Sequence, residues 1–334
     1  MQQSQSDPLS PGKPLQPDYT NCIVNLVRSL VPATGEGQQE YGPLAALEGV
    51  ALSGRTVVLL VIDGLGDLFL QNHPDTFLGR HRRARLTSVF PTTTATAVTS
   101  FFTGVAPQQH AITGWHTYFR ELGAVATVLP FIPRFGGACL AEAEITPVRL
   151  ITGDSLLNGL ARPCHVVLPD YLIESAYSRA LSGRAGRHGC GSLAEMFSRI
   201  DMLVRGEHDA LIMAYWPELD SLAHARGMGS DEATAHFLEI DRLCSINLAG
   251  LIERGATVIV SSDHGLIDTD EAHTIYLEEH PELAASLTLP LCGEPRCAYC
   301  YVRSDRREVF EGYIREKLAH ACTMRRSTDL IREG

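Results

Sequence analysis

The run Val57 to Ile62 (VVLLVI) is apolar at every position and ends directly on Asp63-Gly64. An unbroken run of this length reads as a strand buried on both faces, the kind found in a parallel sheet. A carboxylate at its end costs several kcal/mol unless something positive meets it. The pattern recurs twice. Ala210 to Tyr215 (ALIMAY) leads through Trp-Pro-Glu-Leu to Asp220, with His224 four residues later, and Ala256 to Ser262 (ATVIVSS) leads into Asp263-His264-Gly265. Ligands of open parallel sheets bind outside the carboxyl ends of the strands. Three strands are therefore expected to deliver Asp63, Asp220, His224, Asp263 and His264 to one rim. Mixed carboxylates and imidazoles suit a borderline divalent ion, zinc first and manganese second, and their spread over three strands suits two ions better than one. Taken singly, Asp-Gly is a turn and Asp-His-Gly a strand end with a surface histidine. Three such coincidences at one sheet edge favour the metal reading.

Between the first two of these strands lies a threonine-rich stretch, Phe90 to Gly104 (FPTTTATAVTSFFTG). Ala95 to Thr103 is expected as a helix whose first turn abuts Thr94, so that free N–H groups and the positive end of the helix dipole face whatever binds beside that hydroxyl. An alcohol is a poor nucleophile near neutral pH and needs a metal or a base to activate it. Thr94 is the candidate attacker. The competing reading is a helix start whose hydroxyls cap backbone donors, and among Thr92, Thr93, Thr94 and Thr96 one or two are expected to do only that.

With 334 residues the chain fits one large α/β domain or a domain with an inserted cap, and 45% hydrophobic and 20% charged residues are ordinary for a globular enzyme. A net charge of -11 argues against nucleic acid as a partner held by bulk charge. It does not argue against a phosphate substrate, because two dications at a site outweigh a diffuse, screened acidic surface. Nine scattered cysteines, an odd number, are what a reducing compartment permits, and Cys297-x-x-Cys300 reads as small residues on a strand (CAYCYV). No charged and apolar signal opens the chain and no apolar stretch reaches about 18 residues. The expectation is a cytoplasmic protein without a membrane partner.

Residues 1 to 18, rich in Gln, Ser and Pro, read as a disordered leader, and 19–334 as a single catalytic domain. Asn21 to Val31 carries apolar residues at helical spacing, and Arg85 to Phe90 is a short strand candidate stopped by Pro91. Residues 140–205 read as a cap, with helices at Tyr171 to Leu181 and Ser192 to Val204 around a Gly/Arg-rich break at Gly183 to Gly191. Ser230 is expected to cap a long helix with Phe237, Ile240, Cys244, Leu248 and Leu251 on one face and Gly255 as its stop. Trp115, His116, Tyr118 and Arg134 suit a substrate pocket no better than they suit a core and a solvated loop, and stay outside the predicted site.

Together, Asp63-Gly64, Pro91-Thr-Thr-Thr94 with Thr103-Gly104 and His110, Tyr215 to His224 (YWPELDSLAH) and Ser262-Asp263-His264-Gly265 resemble the type I phosphodiesterase/nucleotide pyrophosphatase family of the alkaline phosphatase superfamily. The resemblance spans roughly residues 55 to 270, with four motifs in order. It implies a three-layer αβα sandwich with a largely parallel sheet and a small inserted cap. It implies one zinc held by Asp63, Thr94, Asp263 and His264, a second held by Asp220, His224 and a third histidine, and Thr94 as nucleophile. The implied reaction is hydrolysis of a small-molecule phosphoester, a nucleotide among the candidates, through a phospho-threonine intermediate. A phosphomonoesterase or an inactive metal- or phospho-ligand-binding relative is the alternative. The family's phosphoryl-holding asparagine falls on Ala97, for which Thr96 or a backbone N–H would have to substitute. No glycine-containing motif supplies the third histidine, for which His273, His280 and His320 qualify by residue type only, so a truncated or divergent C-terminus is expected.

Overall fold

In the computed structural model, which describes residues 16–31 and 40–333, strand β1 (Val57–Ile62) is buried at every position. Its alternate residues serve two cores. Val57, Leu59 and Val61 pack into one, and Val58, Leu60 and Ile62 into the other. Side chains alternate across a strand, so a run apolar at every position is what two-sided burial between helical layers demands.

Three short strands follow, β2 (His116–Phe119), β3 (Ala124–Thr127) and β4 (Ile132–Pro133), which pair antiparallel as a small sheet. The main sheet is completed by β5 (Cys164–Pro169), β6 (Gly186–Cys190), β7 (Leu211–Trp216) and β8 (Thr257–Ser261). Its order is β6-β5-β7-β1-β8, and its pairs are parallel. In this register Val61 lies beside both Tyr215 and Ser261. The carboxyl ends of β7, β1 and β8 therefore open side by side, which is the placement of the three acid-bearing loops expected from the sequence.

Helices cover both faces. Ile23–Ser29 and Thr94–Thr103 carry Val24, Val27, Ala95 and Phe101 into the first core. Leu193–Gly206 and Asp231–Glu253 carry Met196, Phe197, Phe237, Ile240 and Cys244 into the second. The αβα layering is thus as expected. The long helix begins at Ser230, whose hydroxyl accepts the Ala233 N–H at 3.2 Å, and it ends just before Gly255 at φ +87°. A residue with a Cβ is strained in that left-handed conformation, which makes glycine an effective stop.

Some segments depart from the sequence reading. The stretch 140–205, expected as a cap, places β5, β6 and the helix Leu193–Gly206 in the layered body. His165 and the flanking prolines interrupt the apolar run CHVVLP and obscured it. The helix expected over Tyr171 to Leu181 divides into Asp170–Ile173 and Ala176–Ser182, because Ser175 turns out of the first and caps the second by accepting the Ser178 N–H. Arg85 to Phe90 forms only a bridge at Thr87, paired with Cys22; the adjoining Ser88 hydroxyl donates instead to the Asp263 carbonyl. Of the expected leader, residues 1–15 lie outside the described residues.

The chain divides into two contact units, one comprising residues 17–268 and 293–297 and holding the main sheet. The other includes residues 269–292 and 298–333, with its own small core of Leu283, Phe310, Ile314 and Leu318 on the helices Pro281–Ala285 and Arg307–Tyr313 and the π-helical turn that continues the latter. Among the described residues no helix is long and apolar enough to cross a membrane.

Leu59 lies at the centre of β1 and is fully buried. Leu59→Ala is expected to lower unfolding free energy by about 2–5 kcal/mol through lost transfer energy and the cavity left behind. Denaturant titration checks this, and a loss below about 1 kcal/mol would mean that β1 is not the sheet's packed centre.

Candidate active site

Asp63 and Asp263 follow the ends of β1 and β8, whereas Asp220 lies in the first turn of the helix Glu218–Arg226 that follows β7. The Asp63 N–H continues the β1–β7 ladder by donating to the Trp216 carbonyl at 2.9 Å. The chain then turns at Gly64, φ +75°, where a Cβ would lie 2.8 Å from Leu266 Cδ1 and 3.2 Å from Asp220 Cα. Glycine is needed there for conformation and for space. At Gly66 a Cβ would meet the Gly265 Cα at 2.6 Å, so the loops after β1 and β8 touch backbone to backbone. This approach brings Asp63 and Asp263 together. The Asp263 carboxylate is fixed by two N–H donors, His264 at 2.9 Å and Gly64 at 3.3 Å, both to Oδ1.

Asp63, Asp263 and His264 offer one donor atom each within 4.8 Å of one another, and all three are buried. His264 Nε2 is 3.4 Å from Asp63 Oδ1 and 3.5 Å from Asp263 Oδ2. The Thr94 hydroxyl, on the first residue of its helix, is 3.0 Å from the same nitrogen. Four of the predicted residues therefore converge on one point. Asp220 stands close enough for its charge to act on Asp63. His224, one helical turn on, has Nε2 3.4 Å from Asp220 Oδ1, with a side chain 70% exposed. Within the 4.8 Å spacing, no third His, Cys, Asp or Glu joins Asp220 and His224 among the described residues. His273 pairs with Asp270 and His280 with Tyr313, while His320 is exposed.

Two neighbours were missed from sequence. Tyr215 donates its hydroxyl to Asp63 Oδ2; its position on β7, beside Val61 and five residues before Asp220, was the available signal. Tyr171, 73% exposed just beyond the carboxyl end of β5, presents an aromatic surface at this rim. It was masked by the misreading of β5. The other threonines divide as anticipated: Thr92 donates to the Val89 carbonyl, and Thr96 to those of Pro91 and Thr93. Thr96 is thereby committed to backbone and does not replace the asparagine expected at Ala97, which is itself core. His110 is structural: Ser100 Oγ lies 3.0 Å from its Nε2, the Ile112 N–H donates to Nδ1, and burial lowers its pKa to about 3. His116 lies 3.1 Å from Thr127 Oγ1 across the β2–β3 pair, and Arg134 lies over the Phe135 ring.

The donor set fits a cation. Asp63 Oδ1, Asp220 Oδ1 and Asp263 Oδ2 are buried without hydrogen-bond partners, a costly arrangement unless positive charge meets them. Burial first, then the charges of Asp263 and Asp220, push the Asp63 carboxyl well above the usual carboxylate range, while the Tyr215 hydroxyl opposes that shift. Burial and the neighbouring acids also raise Tyr215.

A parallel sheet with such a cluster at its carboxyl rim defines an α/β protein with a candidate metal site at the ends of its strands. The sequence model of the family described as type I phosphodiesterase / nucleotide pyrophosphatase matches residues 57–133 and 156–325, well over half of the chain, and the protein belongs to that family. It is a phosphoester hydrolase of this family. Murine ectonucleotide pyrophosphatase/phosphodiesterase 5 superposes with a TM-score of 0.56 at 16% identity, over 77% of this chain and 68% of that one. An inactive threonine-to-alanine variant of that protein, in complex with AMP, gives 0.57 at 16% identity over 80% and 70%. The human counterpart gives 0.56 at 16% identity over the same shares. No curated protein matches the sequence.

In metal-free protein, Asp63 keeps its proton to higher pH when folded than when unfolded, where the reference is 3.8. The folded state binds more protons in that interval, so stability falls as pH rises from 3.8 towards the folded-state value. Asp63→Asn should remove this loss and raise the melting temperature of chelator-treated protein at pH 7 by a few degrees. A variant melting below the parent would show that the ionised carboxylate stabilises the apo fold.

Proposed function

We propose that the protein is a metal-dependent phosphodiesterase or nucleotide pyrophosphatase that acts through Thr94. The observation that carries this reading is the convergence of Thr94 Oγ1, Asp63 and Asp263 on His264 Nε2. Asp63, Thr94, Asp263 and His264 would hold one divalent ion and Asp220 with His224 a second, zinc by preference and manganese next, given the mixed oxygen and imidazole donors. Bound there, such ions supply Lewis-acid stabilisation of phosphoryl oxygens and lower the pKa of water.

Within this frame Thr94 Oγ attacks phosphorus in line, a Thr94 O–P bond forms and the bond to the leaving oxygen breaks. Water then cleaves the phospho-threonine and regenerates the hydroxyl. Before an ion binds, His264 Nε2 holds that hydroxyl in place beside the acids. Intrahelical bonding starts with the Thr96 and Ala97 N–H groups on the Thr93 carbonyl, so the N–H groups of Thr94 and Ala95 precede the ladder. They support the reading that backbone donors and the helix dipole hold a phosphoryl oxygen in place of the family's asparagine. Tyr171 would offer a stacking surface to a leaving group such as a nucleoside. AMP in the murine relative supports a nucleotide, and the inactivity of its threonine-to-alanine variant supports a threonine nucleophile. Nine scattered cysteines, an odd number, support a reducing, cytoplasmic setting. The domain reading that goes with this is one catalytic body around the main sheet.

Chromogenic phosphodiester and monoester hydrolysis, measured side by side with added zinc or manganese, tests the proposal. Diester cleavage should be faster, should vanish on chelation and return with metal, and should fall by several powers of ten in folded Thr94→Ala. Near-normal turnover by that variant would remove Thr94 from the nucleophile role, and faster monoester cleavage would make the enzyme a phosphomonoesterase.

A further inference from the structure

Away from the carboxyl rim, near the opposite end of β5, two histidines face each other across adjacent parallel strands. His165 is the second residue of β5 and His188 the third of β6, an edge strand, with Gly186 directly opposite His165. His165 Nδ1 and His188 Nε2 are 3.1 Å apart. Two imidazole nitrogens bound to one ion at about 2.0–2.1 Å each stand about 3.3 Å apart at a tetrahedral angle, so the rings are already at ligating separation. On the far side of the same ring, His165 Nε2 is buried without a hydrogen-bond partner, and the Glu207 carboxylate stands 3.8 Å from it. In the metal-free protein the Nδ1 and Nε2 atoms that face each other share a hydrogen bond, and the Glu207 carboxylate, at ion-pair distance, favours the proton on His165 Nε2, the tautomer that leaves Nδ1 as an acceptor.

We propose that His165 and His188 form a two-histidine clip for a borderline divalent ion, zinc or copper, with Glu207 as the positioning residue behind His165. Gly186 keeps the seat open: a Cβ there would lie 2.8 Å from His165 Nδ1 and 3.3 Å from His188 Nε2. Both rings favour the neutral, ligating form, since burial lowers the pKa of each and is the larger influence on both. Arg199, whose charge acts on His188, is engaged by Glu195 at 3.2 Å. Gly186 is exposed and both histidines are only part-buried, so the remaining coordination positions reach solvent and the clip suits an exchangeable ion completed by water. Its ligands share no residue with the catalytic cluster, so it stands whether or not the proposed reaction is correct.

Bound zinc per chain, measured on the full-length protein by equilibrium dialysis and elemental analysis, tests the clip. His188→Gln and Gly186→Ala should each bind one equivalent fewer than the parent while keeping its circular dichroism spectrum. Copper(II) added to the parent should show electron paramagnetic resonance coupling to two imidazole nitrogens that is lost in His188→Gln. An unchanged zinc count in His188→Gln, or in Gly186→Ala if His188→Gln does not fold, would overturn the proposal.

Discussion

The structure depends on a concentration of negative charge that the fold itself creates. Asp63 and Asp263 are almost fully buried and Asp220 stands beside them, each with an oxygen that no protein group satisfies. Removing such charges from water costs several kcal/mol apiece even after relaxation. The imidazole shared between Asp63 and Asp263 and the exposed His224 beside Asp220 do not compensate three acids. A chain spends stability in this way where positive charge is meant to arrive from outside, and the family to which the protein belongs agrees with that reading.

Everything around the cluster serves to bring it together. The in-register parallel pairing of β7, β1 and β8 sets the acid-bearing loops side by side, and Gly64, Gly66 and Gly265 let those loops close without side chains between them. Tyr215 restrains Asp63 from the neighbouring strand, and Ser88 holds the backbone at Asp263. Thr94 arrives on a different element, a helix buried along most of its length and braced by the Ser100–His110 pair. The proposed nucleophile is thus carried by rigid structure, as catalysis by precise positioning requires.

The sheet and four of the candidate ligands were legible because they rest on local signals: fully apolar runs, and acids that follow them directly. The long helix was equally clear, with Ser230 and Gly255 as its punctuation. What sequence concealed was tertiary. β5 carries His165 and ends on Pro169, so its run looked too broken for a central strand, and Tyr171 was lost with it. Tyr215 ends one apolar run and opens the YWPELDSLAH motif, but only the register against Val61 shows its hydroxyl aimed at Asp63. Thr96 looked available until the cap geometry committed it to the Pro91 and Thr93 carbonyls. The Gly186 seat beside the two histidines is invisible without the pairing of β5 and β6.

The central claim is that Thr94 carries the phosphoryl group during turnover. Rapid acid quenching of metal-loaded enzyme with a diester substrate, followed by peptide mass spectrometry, measures this most directly. The account predicts that the covalent phosphoryl or nucleotidyl adduct sits on Thr94 within the peptide spanning the Thr94–Thr103 helix. Turnover with the adduct on another residue, or with phosphorus passing to water in a single inverting step, would contradict it.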